Sequence, residues 1–355
     1  MNQPQAFLAR LIDQGNRALA AYAANELLKA HPEAKAGFGA NPLMGWQNWL
    51  SSRLDELAAA LAAGKPEIFV GQVQWAKAVL AARGFSVEHF RTSIEILGSV
   101  IARELPDDVA PAAGDYLDRA LDGFDEEPKE LTSRLLPDTP EGRLGSEYLL
   151  ALFEGDRRRA SRLILDQVDK GWPVRDMYLD VLLPAQREVG RMWLLGEVNV
   201  AEEHFASATT KMVMAQLLPR AQFTDRNGKT MLAAAVAGNQ HDIGLQAVAD
   251  FFEMNGWRVI SLGANVPISD LVQAAECFES DLIGLSASQA TQLETLRSSI
   301  AAVRKCERGE RVKILVGGFA LVDDGAAPEE LGADAYAPDP VAAVKVGRKL
   351  VGLPE

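Results

Sequence analysis

The sequence predicts an α plus α/β protein: an N-terminal all-α domain, a four-helix bundle, and then a five-stranded, parallel, doubly wound sheet domain. Three observations carry this reading. Up to about residue 222 the apolar residues recur at three- and four-residue spacing, the period of an amphipathic helix. From about residue 229, short apolar runs rich in β-branched residues alternate with helical patterns, the rhythm of a parallel sheet wrapped by helices. A polar, acidic, proline-bearing stretch separates the first helical block from the second.

Residues 1–125 contain four long amphipathic segments, running over 6–30, 45–64, 67–84 and 86–106. His31-Pro32, Gly64-Lys65-Pro66, Gly84 and Pro106 punctuate them. Ser86, with Glu88 and Glu95 behind it, starts the last. No strand pattern interrupts, so this is an all-α, sensor-like domain. The acidic stretch at 126–142 reads as a linker. Residues 143–225 hold four more helical patterns with short joints, at 143–155, 156–171, 174–196 and 200–221, which suggests an antiparallel bundle. In residues 229–355 the candidate strands are "TMLAAAVAG", "WRVISLG", "DLIGLSA", "VKILVGG" and "ADAYAP", with helical patterns at 243–255, 267–278, 289–305 and 340–351. Sheets of this kind bind ligands beyond the carboxyl ends of their strands.

Composition narrows the function. The net charge is −13, which argues against a nucleic-acid binder, since phosphate neutralisation needs clustered Lys and Arg. Two cysteines, Cys277 and Cys306, cannot build a disulfide framework or a four-thiolate metal site. No run of about 18 apolar residues occurs, so no membrane span is expected. The N-terminus lacks the basic, apolar and small-residue order of an export signal, so a cytoplasmic location is expected.

Three signals fall on the carboxyl edge of the expected sheet. Asn239-Gln240-His241-Asp242-Ile243-Gly244 follows the first strand, Ser286-Ala287-Ser288 the third, and Gly317-Gly318 the fourth. They offer an imidazole, two hydroxyls and a wall of bare backbone that a planar group can approach closely. Singly, each has a plainer reading: a solvated turn histidine, helix caps, an ordinary turn.

In this order the three signals resemble the cobalamin-binding domain family, whose signature is Asp-x-His-x-x-Gly, then Ser-x-Leu or a variant, then Gly-Gly. The resemblance covers about residues 229–353. It implies that His241 binds cobalt from below, that Ser286 and Ser288 line the slot for the nucleotide tail, and that Gly317 and Gly318 form its floor. It also assigns cofactor contacts to Asn239, Asp242, Ile243, Gly244 and Phe319. The family's Asp is Asn239 here. An amide oxygen can still accept the ring N–H of His241, but it brings no negative charge, so the imidazole is expected to be a weaker donor.

Upstream, Trp193 ends one helical pattern, Gly196 marks a joint, and Glu203-His204 lie early in the next pattern. A Trp, nine residues, then Glu-His resembles the hairpin of CarH-type photoreceptors. There the bundle caps the upper face of adenosylcobalamin and the tryptophan covers the adenosyl group. The matching positions are Trp193, Val200, Glu203 and His204. Directly after the Trp, where the family has a histidine that binds cobalt after illumination, this chain has Leu194. With only His31, His89, His204 and His241 in the chain, water or His204 are the candidates for that role. The DNA-reading domain of the family has no counterpart here.

A helical sensor-like domain ahead of such a core resembles the photocobilins, which pair cobalamin with biliverdin. Residues 1–276 contain no cysteine, so any bilin is expected to be held non-covalently. Trp46, Trp49, Trp75, Arg83, His89 and Arg91 are candidates for an aromatic, cationic pocket. For each of them plain packing or solvation is an equally simple reading. The expected function is a cobalamin-dependent light sensor without catalysis of its own. Its expected partners are a second copy of the chain, dimeric in at least one light state, and a downstream protein, with neither nucleic acid nor membrane. The alternative is a corrinoid protein that carries a methyl group between methyltransferases.

Overall fold

The computed structural model describes residues 3–126, 133, 135, 136, 138–322 and 328–354. Contacts divide the chain into two units, residues 1–131 and residues 132–355.

The first unit is all helical: α1 (Gln3–Ala30), α2 (Pro42–Ala63), α3 (Pro66–Ala82), α4 (Val87–Glu104) and α5 (Ala110–Asp122), with a 3-10 turn at Pro32–Phe38. The punctuation acts as the sequence implies. Pro42 and Pro66 sit in the first turns of α2 and α3, where no N–H is needed, and Gly64 ends α2 at φ 72°. Ser86 caps α4 by accepting from the His89 N–H. The fifth helix, α5, is absent from the four segments read in the sequence. It is 13 residues long, and Pro111 looks like a break while acting as a first-turn residue. Leu8, Ile12, Leu54, Phe69, Phe90, Ile94 and Tyr116 are among the buried residues of its core.

The second unit joins the bundle to the sheet. Its helices are α6 (Pro140–Phe153), α7 (Arg157–Asp169), α8 (Val174–Asp176), α9 (Leu183–Leu194) and α10 (Val200–Leu217). Part of the stretch expected as a linker, 127–132, 134 and 137, lies outside the described residues. Its last part is already helix, because the Thr139 hydroxyl accepts from the Gly142 N–H and Pro140 fills the first turn. Between α8 and α9 the helix widens into π geometry over Met177–Leu182. Pro184 follows directly, and its missing N–H breaks the regular ladder at that place.

The sheet has order β2-β1-β3-β4-β5 and is parallel throughout: β1 (Thr230–Val236), β2 (Arg258–Val266), β3 (Leu282–Ser286), β4 (Lys313–Gly317) and β5 (Ala335–Tyr336). Helices α11 (Ile243–Met254), α12 (Ile268–Cys277), α13 (Leu293–Arg304), α14 (Phe319–Val322) and α15 (Pro340–Leu350) connect or flank the strands. β1 is almost entirely buried, as a central parallel strand must be. Because β2 and β3 lie on opposite sides of β1, the chain changes direction between β1 and β3, and a crevice opens at their carboxyl ends. One hydrophobic core runs through both parts of the unit, from Tyr148, Tyr178 and Met214 of the bundle to Met231, Phe251 and Phe252.

Candidate functional site

The β1 loop stands at that crevice. Asn239 is fully buried and organises it. Its side-chain oxygen accepts from the main-chain N–H of His241 at 3.0 Å, and its amide nitrogen donates to the Ser286 carbonyl at 3.0 Å. The expectation that this oxygen takes the imidazole N–H is therefore corrected: it holds the backbone that carries the ring. The departure from Asp also gains a physical reason. The Ser286 carbonyl needs a donor at that spot, and a carboxylate has none.

His241 itself is exposed, and its ring has no hydrogen-bond partner among the described residues. A side chain added at Gly244 or Gly238 would meet nothing within 4 Å, so open space borders the loop. The end of β2 supports it, with the Gly238 N–H donating to the Asn265 side chain at 2.7 Å and the Asn265 N–H to the Asn239 carbonyl at 2.9 Å. Gln292 completes the scaffold. It accepts from the Ser288 N–H at 2.8 Å and donates to the Gly238 carbonyl at 3.2 Å, tying the β3 loop to the β1 loop. No local signal marks Gln292, because its role exists only once β1 and β3 are neighbours.

Ser286 is buried at the end of β3 and Ser288 lies half-buried just beyond it. Gly318 has φ 105°, and a Cβ there would sit 2.1 Å from the Ala287 carbonyl oxygen. Glycine is required by the protein's own backbone, with or without a ligand. Gly317 is close to the Ala337 carbonyl in the same way, at 3.0 Å. Phe319 follows with about half its surface exposed.

The bundle reaches this edge. The Arg187 guanidinium on α9 lies 5.7 Å from the Phe319 ring centre, and Lys211 on α10 pairs with Asp242, beside His241, at 2.5 Å. Neither residue carried a sequence signal. Trp193 lies at the end of α9, half-buried; Gly196 turns the chain at φ 70°; and Asn199 starts α10 with a capping box to Glu202. Val200 and His204 are exposed and Glu203 half-buried, with the His204 Nδ1 2.5 Å from Glu203. Ile243 is half-buried at the start of α11.

Deeper in the same unit, the Tyr178 hydroxyl lies 2.7 Å from Asp250 on α11 and 3.1 Å from the Met214 carbonyl on α10. Gln246 donates to the other Asp250 oxygen at 2.6 Å. Burial pushes the Asp250 carboxyl up to about 6, against the hydrogen bonds that favour its charge.

Cobalt in a corrin already has four ring nitrogens and needs one ligand from below. The described residues fit that demand. They contain no cluster of three or more metal-binding side chains, and they present one unpartnered imidazole on a braced loop facing open space. His241 would hold the cobalt, with Ser286, Ser288 and the Gly317-Gly318 backbone beside it.

Of the six residues proposed for a pocket in the first unit, Trp46 and Trp49 flank Phe38, with ring centres 5.1 and 6.5 Å from it. Trp46 is packed in the core, and its N–H goes to the Ala34 carbonyl at 3.0 Å. Arg83 is exposed, and His89 lies 3.5 Å from Glu33. One of the six, Trp49, belongs to a polar group on α2. The Arg53 guanidinium lies 4.6 Å from the Trp49 ring centre and pairs with Glu56 at 2.5 Å. Trp49 Nε1, Arg53 Nε and Nη1, and Glu56 Oε2 are buried without hydrogen-bond partners.

The comparisons with known proteins match the second unit. The B12 binding domain family matches residues 229–345, and a second B12 binding domain family matches residues 145–218. Dimethylamine corrinoid protein 3 of Methanosarcina mazei is 30% identical over 164 residues, which are 46% of this chain and 95% of that protein. The HTH-type transcriptional repressor CarH of Myxococcus xanthus is 30% identical over 195 residues, 54% of this chain and 63% of that protein. Among solved structures, the Methanosarcina barkeri monomethylamine corrinoid protein shares the fold with a TM-score of 0.52 at 21% identity, over 59% of this chain and 98% of its own. The chain belongs to the cobalamin-binding corrinoid protein family. Neither family match extends into residues 1–144.

Proposed function

We propose that this chain is a cobalamin-binding light sensor, in which His241 meets the cofactor from the sheet and the α9–α10 hairpin covers its upper face. The observation that carries this reading is the hairpin's position. The helices that bear Trp193, Val200, Glu203 and His204 are the ones that touch the sheet's carboxyl edge, through Arg187–Phe319 and Lys211–Asp242. When bound, adenosylcobalamin supplies a cobalt–carbon bond that light breaks.

The rest is the work of the chain's own residues. Trp193 and Val200 offer apolar cover to a bulky upper ligand, and Glu203 and His204 offer polar contacts at its rim. Lys211–Asp242 and Arg187–Phe319 hold the cover against the sheet, and both contacts are exposed enough to part. Removing the upper ligand takes away the partner of the cover, so the balance between closed and open hairpin shifts. The output is a change of quaternary state, with a homodimer in at least one light state, read by a downstream protein. No catalysis, nucleic acid or membrane enters this scheme.

A second chromophore, non-covalent biliverdin, is proposed for residues 1–125. Four buried polar atoms without partners on one face of α2 support a missing polar ligand there, since such atoms are normally paired.

The second reading is a methyl carrier, favoured by the dimethylamine corrinoid protein of Methanosarcina mazei among the relatives. One experiment separates the two: load the full chain with adenosylcobalamin in the dark, then compare absorption and size-exclusion elution before and after green light. A spectral change with a shift in elution supports the sensor. A spectral change with unaltered elution, together with methyl transfer to and from the methyl-loaded chain, would establish the carrier.

A further inference from the structure

Two sets of side-chain hydrogen bonds meet in the bundle near Glu203. The inner set is buried: the Tyr148 hydroxyl on α6 and the Thr210 hydroxyl on α10, both fully buried, lie 2.8 Å apart. Gln186 on α9 donates its amide N–H to Thr210 at 2.8 Å and turns its oxygen toward Ser207, 3.4 Å away. Ser207 donates to Glu203 at 2.6 Å. The other Glu203 oxygen faces His204 Nδ1. Two residues of α10 thus hold the two oxygens of one carboxylate.

Helix capping does not account for this. The start of α10 is already served by Asn199 and Glu202, which satisfy its first N–H groups and the Asn199 N–H. Nor does the ordinary behaviour of a surface glutamate, which ordering would cost side-chain entropy. With one oxygen fixed by a serine one turn along the helix and the other by a histidine, Glu203 has little freedom left. The single Ser207 proton goes to the nearer oxygen, Glu203, and the Gln186 oxygen 3.4 Å away is only a packing neighbour of the hydroxyl.

We propose that Ser207 is the positioning residue that fixes Glu203 at the cap, so that the hairpin favours cobalamins with a bulky upper ligand. This rests on the reading that Glu203 meets that ligand. Ser207 itself touches no cofactor and acts through the carboxylate. The chemical class selected is a cobalt-bound group with hydroxyl or amino donors, because carboxylate oxygens accept hydrogen bonds.

The test uses the full chain and titrates it with adenosylcobalamin and with hydroxocobalamin in the dark. The readout is the ratio of the two dissociation constants. Ser207→Ala should reduce the preference for the adenosyl form by about tenfold, the scale of one hydrogen bond to a charged group, and Ser207→Thr, which keeps a hydroxyl, should restore it. Apo-protein melting is measured alongside. Equal weakening of both forms in Ser207→Ala would overturn the proposal, because a merely structural role predicts that. Glu203→Gln separates the two layers. If it lowers the preference and Ser207→Ala does not, the positioning role fails and the cap reading stands. If Glu203→Gln leaves the preference untouched, the reading of Glu203 fails and the proposal with it.

Discussion

At the scale of single residues the site turns on Asn239 and His241. Asn239 serves two main-chain groups at once while fully buried, one as acceptor and one as donor. Asn239→Asp therefore places a carboxylate against the Ser286 carbonyl. It should destabilise the sheet domain by roughly 1–3 kcal/mol, the cost of an unmade buried hydrogen bond, and chemical denaturation at neutral pH checks this. An unchanged midpoint would mean that the loop re-forms around the acid. His241→Ala should remove histidine nitrogen splitting from the paramagnetic spectrum of the reduced cobalt form. The affinity loss should exceed the about 10–100-fold seen when a ligand loses its hydrogen-bond partner. Splitting that survives in the variant would assign the lower ligand elsewhere. The histidine was legible from its spacing to Gly244 and from its place after an apolar strand. The true role of Asn239 was not, because its two partners lie on either side of a strand pairing that no local pattern states.

At the scale of elements, the third helical segment of the bundle matters most. Its π stretch places Tyr178 beside Met214 of α10 and Asp250 of α11, where three helices meet. Asp250 has its carboxyl raised from 3.8 to about 6 by burial. In the folded protein it holds its proton more tightly than in the unfolded chain. The stability this contributes is full below pH 4 and is lost as pH rises to 6. Against Asp250→Asn, the wild type should lose about 3 kcal/mol of relative stability across that window and nothing more above it. Urea melts of both proteins at four pH values give the comparison, and a pH-independent gap would refute the shift. At the hairpin, Trp193→Ala should weaken the adenosyl form by a few kcal/mol at most, the scale of truncating a large aromatic, and the hydroxo form less. Equal losses would make Trp193 a packing residue. The helices themselves were readable from periodicity, but the π stretch was not, since a proline in a helical pattern states only that the ladder is interrupted. Arg187 and Lys211 were silent for a different reason: on an isolated amphipathic helix they are ordinary solvated cations.

At the scale of the whole molecule, the chain divides into a helical unit and a cobalamin-binding unit. The change of hydrophobic period near residue 229 announced the sheet, and the order of His241, Ser286 and Gly317 along the chain announced its edge. The first unit was legible as helices only. Its six candidate pocket residues were chosen for chemistry, and packing draws Trp46 into the core. Of the polar face of α2, Trp49 was a candidate, while Arg53 and Glu56 gave no signal, because buried charge cannot be told from exposed charge before the helices pack. The full chain, produced with a biliverdin supply, should show a red absorption band whose pigment separates from the polypeptide in acid. Arg53→Ala should diminish that band. Its absence under saturating biliverdin would leave residues 1–125 as an assembly element.

The meeting point of Tyr178, Met214 and Asp250 also sets a mechanical scale. From Met214 back to Val200, α10 runs 14 residues, a rigid arm of about 21 Å at 1.5 Å per residue. A tilt of about ten degrees at that buried fulcrum would carry the far end roughly 4 Å sideways, by the geometry of an arm of that length. That is about the thickness of one aromatic ring. The fulcrum need hardly move for the far end, which bears Val200, Glu203 and His204, to gain or lose a whole layer of contact.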